Sequence, residues 1–79
     1  MLKMTREELV ARDPELAENY VPEKATHAYL DEEKGAVAYF IPQELTQYKP
    51  FGYVFENCEP SFDSEEEMLT RFIADIATL

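Results

Sequence analysis

The chain has 79 residues, with 17 Asp or Glu against 7 Lys or Arg, and a formal net charge of −10 at pH 7. That length accommodates one domain, and the single cysteine, Cys58, excludes an internal disulfide, a CxxC redox pair and a thiolate metal cluster. No apolar run approaches the roughly 20 residues of a membrane span, and the opening residues lack a signal-peptide pattern, so the expectation is a soluble, cytoplasmic protein.

Taken in chain order, Thr5-Arg6-Glu7-Glu8 reads as a capping box, with Met4 and Leu9 in the staple positions around it. A short helix is predicted to run to about Arg12. Asp13-Pro14 restarts the pattern, Asp13 as cap and Pro14 in the first helical turn, and Pro22 ends this second piece. Residues 25–31 and 36–41 flank Glu32-Glu33-Lys34-Gly35, a four-residue hairpin loop in which Gly35 supplies a positive φ. Lys49-Pro50-Phe51-Gly52 reads as a turn and residues 53–56 as a third strand. Ser64-Glu65-Glu66-Glu67 is a second capping box. Beyond it Met68, Leu69, Phe72, Ile73, Ile76 and Ala77 form one apolar helical face, with Glu67–Arg71 and Arg71–Asp75 as i,i+4 pairs on the other.

The predicted fold class is therefore α+β: two short N-terminal helices, a three-stranded antiparallel meander and a C-terminal amphipathic helix packed on the sheet, all in a single domain over 1–79. The middle strand is apolar on both faces, with Val37, Tyr39 and Ile41 on one and Ala36, Ala38 and Phe40 on the other. A sheet covered on one side only should alternate apolar with polar, so either the N-terminal helices or a partner must cover the second face.

The residues that carry chemistry are sparse. His27 falls in what reads as an edge strand, and it and Cys58 are the only pair that could suggest a nucleophile and base, with nothing further to orient them. Asp63, Glu65, Glu66 and Glu67 lack the alternating spacing of a calcium loop, and carboxylates in a first helical turn are explained by the helix dipole. With two glycines there is no phosphate-binding loop, and no zinc or metalloprotease spacing occurs. Asp63-Ser64 invites comparison with acyl carrier proteins, but Glu65 stands where their leucine should be and the centre of the chain reads as strands. No catalytic residue, metal or cofactor is expected.

Charge is the informative feature. A net −10 disfavours direct binding to nucleic acid or anionic membranes and favours a basic protein partner. The excess is uneven: net −2 over residues 1–24, −2 over 25–53 and −6 over 54–79. Disorder is the usual alternative for such a charge, but 46% apolar and 13% aromatic residues supply a core. In size and charge, and in no motif, the chain resembles phage-encoded anti-defence proteins (anti-CRISPR and anti-restriction inhibitors) and immunity proteins that block nucleases. That resemblance implies a non-enzymatic inhibitor of a nucleic-acid-binding protein, acting by mimicry of DNA or RNA phosphates. The candidate contact residues are Glu56, Glu59, Asp63, Glu65, Glu66 and Glu67, with Asp31, Glu32 and Glu33 at the hairpin tip. Tyr48, Phe51 and Tyr53 around the second turn are candidate aromatic anchors. The alternative is a small accessory subunit that homodimerises or joins a larger complex through an apolar sheet face.

Overall fold

The computed structural model describes residues 1–42, 51–54 and 61–79. Local chemistry sets its helix boundaries. The Glu8 amide donates to Thr5 Oγ1 and the Thr5 amide to Glu8 Oε1, both at 3.1 Å, which closes the first capping box and starts α1 (Arg6–Arg12). Asp13 Oδ1 accepts from the Leu16 amide at 3.1 Å and opens α2 (Pro14–Tyr20). Val21, ahead of Pro22, is extended at φ −116° and ψ 113°, and the helix stops there. The Arg6 guanidinium then ties the end of α2 to the start of α1, donating to the Val21 carbonyl at 3.1 and 3.2 Å.

The remaining elements are β1 (Leu2–Thr5), β2 (His27–Asp31), β3 (Ala36–Phe40), β4 (Phe51–Val54), β5 (Ser61–Phe62) and α3 (Glu65–Ile76). The strands form one antiparallel sheet in the order β1-β2-β3-β4-β5. The three-stranded meander is thus the centre of a wider sheet. β1 and β5 add short edges whose four and two residues are too few to show a period. β1 pairs outside β2, with Thr5 opposite His27, so His27 lies in an interior strand rather than at the edge. β4 begins two residues earlier than the expected 53–56: Phe51 pairs with Phe40 and Gly52 with Tyr39, which carries the β3 ladder to its end where a turn was expected. Lys49, Pro50, Phe55 and Glu56 lie outside the described residues.

Gly35 has φ +68° at the exit of the β2–β3 loop, and the Asp31 carboxylate holds that loop by accepting the Lys34 amide at 2.9 Å. Nothing lies within 4 Å of a Cβ built on Gly35, so substitution there meets backbone strain and no clash. Gly35→Ala is expected to cost about 1–2 kcal/mol, and Gly35→Asn clearly less, in urea unfolding followed by circular dichroism.

Both faces of the sheet are covered from within the chain. On one, α1 and α2 bring Leu9, Ala17 and Val21 against Met4, Ala28, Leu30, Val37 and Tyr39. On the other, Met68, Phe72 and Ile76 of α3 pack against Tyr29, Ala36, Ala38, Tyr53 and Phe62. The result is three layers, helices on sheet on helix, which accounts for a middle strand apolar on both sides. Ile73, expected in the buried face of α3, is 50% exposed. It sits one residue, about 100° of rotation, from the Met68–Phe72–Ile76 row that faces the sheet. Ala77 is likewise exposed, just past the end of the helix. Among the described residues no helix is long and apolar enough to cross a membrane.

Candidate acidic interface

Of the acidic residues singled out from sequence, the structure separates those with partners inside the fold from those without. At the hairpin tip Asp31 is occupied in closing the turn, and Glu32 pairs with Arg12 at the end of α1. Glu33 alone of the three has no hydrogen bond or ion pair among the described residues, and it is exposed. The hairpin group is thus largely committed to structure.

The start of α3 differs. Ser64 Oγ accepts the Glu67 amide at 3.1 Å as expected, but the Glu67 carboxylate reaches past Ser64 to accept the Asp63 amide at 3.3 Å. The second capping box is therefore half formed. Of the two expected i,i+4 pairs of Arg71, the one with Asp75 is present at 3.2 Å, and the one with Glu67 is absent among the described residues. Glu65 Oε1 lies 3.9 Å from Lys3 Nζ, which also stands 5.5 Å from the centre of the Tyr29 ring. Asp63, Glu66 and Glu67 are exposed, and Glu66 has no hydrogen-bond or ion-pair partner among the described residues. Three glutamates in the first turn outweigh the half positive charge of a helix N-terminus, so this end of the molecule is acidic.

Beside these carboxylates a groove of about 520 Å³ lies along the outer side of α3, lined by Phe62, Thr70 and Ala74 together with Glu66, Glu67 and Arg71. The i,i+4 row Glu66–Thr70–Ala74 places small side chains directly beyond a glutamate and leaves the space open.

Tyr53 does not belong to an interface. It is 4% exposed, its ring stacks on Phe62 at 5.3 Å and tilts against Phe72 at 5.6 Å, and its hydroxyl donates to the Asp75 carboxylate. It closes the α3 side of the core, which corrects its expected role as an anchor. Phe51 is placed in β4 by its pairing with Phe40 and Phe62, whereas Tyr48, Glu56, Glu59 and Cys58 lie outside the described residues. His27 Nδ1 is 3.0 Å from Thr26 Oγ1, and its ring lies 6.4 Å from that of Phe40. Among the described residues no group of three or more His, Cys, Asp or Glu side chains converges as a metal site.

Among the described residues, two carboxyls titrate below their ordinary values. The Tyr53 hydroxyl, and then Arg71, hold Asp75 down, while the Thr5 amide and hydroxyl do the same for Glu8. A carboxyl depressed in the folded chain adds stability above its unfolded value, 3.8 for Asp75, and loses it as the pH falls through the lower folded value. Self-repulsion among the other acids changes with pH in the opposite sense but is common to wild type and variant. The stability gap between wild type and Asp75→Asn, read from urea midpoints, should therefore narrow as pH drops below about 3.8. A gap independent of pH would contradict this role for Asp75.

Comparison of the chain with protein-family models, curated proteins and solved structures gives no significant match. Functional inference rests on the residues themselves. The sequence exposed the acidic first turn of α3, but not the pairing of Glu32 with Arg12 or of Glu65 with Lys3, because both partners are remote in sequence. The groove was also missed. Its one signal was the small residues Thr70 and Ala74 following Glu66 at helical spacing.

Proposed function

We propose that this chain is a non-enzymatic acidic protein that binds and blocks a basic, nucleic-acid-binding protein, its α3 carboxylates standing where the partner takes phosphates. The observation that supports this most is the exposed set Asp63, Glu66 and Glu67 at the end of a helix whose opposite face is locked into the core by Met68, Phe72 and Ile76. Carboxylates held on a rigid element lose little freedom on binding, and a groove built for a duplex already presents cations to about one phosphate charge per 1.7 Å of axis. The partner class is that of targets of phage anti-defence inhibitors or nuclease immunity proteins, met in the cytoplasm. The accessory-subunit alternative drew on an apolar sheet face, and both faces of the central strands are occupied by this chain's own helices.

Competition tests the mimicry itself. A basic partner held on the immobilised chain should be released by added duplex DNA or RNA at low salt, because both ligands use the same cations. A partner that binds duplex and this chain together would sink the idea of a shared groove.

A further inference from the structure

The groove along α3 combines apolar walls with two carboxylates, and that combination selects a particular side chain. Phe62, Thr70 and Ala74 offer surface to a hydrocarbon stem, while Glu66 and Glu67 offer acceptors to a charged head. Arg71 also lines the groove, but its guanidinium is engaged by Asp75, so the charge left for a ligand is negative. Lys and Arg are the side chains built as an apolar stem with a cationic tip. The groove holds about 520 Å³ and is broadly open to solvent, room for one long side chain laid along the helix.

Resting on the basic-partner reading above, we propose that this groove is the docking point for an Arg- or Lys-bearing segment of the partner. One cationic side chain lays its stem over Thr70 and Ala74 and its head against Glu66 and Glu67. Glu66 is the principal acceptor, since no described residue engages it, and Glu67 shares its carboxylate with the Asp63 amide. Specificity then comes from the groove as well as from net charge. Spread surface acidity attracts any polycation, whereas an open groove with apolar patches beside two carboxylates favours a cation flanked by apolar residues.

The test uses the full chain, labelled with nitrogen-15, at low salt, with two probes: an Arg-Leu-Arg-Leu peptide and octa-arginine. The proposal expects the short peptide to shift the amides of Phe62, Glu66, Glu67, Thr70 and Ala74 while leaving Asp31, Glu32 and Glu33 unmoved. Ala74→Trp, which fills the groove without changing charge, should weaken that peptide about tenfold. Thr70→Trp is the second filling variant, and both positions are exposed, so circular dichroism should show an unchanged fold. If the peptide shifts acids over the whole surface and both variants bind it as well as wild type, the groove is overturned and the basic-partner reading stands. If neither probe binds at low salt, both fall together.

Discussion

Phe72→Ala will destabilise the protein by about 3–5 kcal/mol, seen as a shift of the urea midpoint to far lower concentration. Phe72 is fully buried, faces Tyr53 at 5.6 Å and stands midway along the row by which α3 holds the sheet. Its loss removes the transfer energy of the ring and leaves a cavity that a helix pinned at Met68 and Ile76 cannot collapse to fill. A chain of this length has in total only about 4–12 kcal/mol of stability, so the variant should be partly unfolded at 37 °C. Leu9→Ala, equally buried on the other face of the sheet, should cost about 2–5 kcal/mol. The two faces share β3, so either change should move one cooperative transition. Two separate transitions would mean that the helical layers unfold independently.

Replacing Glu65, Glu66 and Glu67 together by Gln should lower affinity for a basic partner by about ten- to a hundredfold at ~50 mM salt, chiefly through slower association. The fold should survive. Ser64 still caps the helix, the amide oxygen that replaces the Glu67 carboxylate can still accept from the Asp63 amide, and the exposed Lys3–Glu65 pair contributes little. Lost attraction to the helix dipole is opposed by relief of repulsion among three adjacent glutamates, so the melting temperature should move only a few degrees. Glu32→Gln with Glu33→Gln is the matched control. Glu32 is already paired with Arg12, so this change should alter binding by no more than about threefold. Equal effects from the two sets would mean that net charge, and not the α3 end, governs recognition.

Local chemistry was what the sequence displayed best. The Thr5–Glu8 box, the Asp13-Pro14 restart, the stop at Pro22 and the Gly35 turn each depend on neighbours within four residues, and each stands where the sequence places it. The double-sided middle strand also showed through, since a strand buried on both faces has no polar alternation to display. What escaped was set by distant partners. β1 exists because β2 offers it an open edge, and Tyr53 is buried because Phe62 and Phe72 enclose it. The candidate site follows the same division. The acidic first turn of α3 was visible as a run of glutamates, but which of them are engaged depends on Lys3 and the Asp63 amide, contacts created only by folding.

The most direct test is capture of partners from a nuclease-treated lysate on the immobilised chain, with washes at ~50 mM and ~500 mM salt, where the screening length falls from roughly 14 to 4 Å. The proposed function requires a basic nucleic-acid-binding protein that is retained at the lower salt, lost at the higher, and absent from a column carrying the triple Gln variant. A partner that survives the high-salt wash and binds the triple variant equally well would contradict it, and would place recognition on an apolar surface.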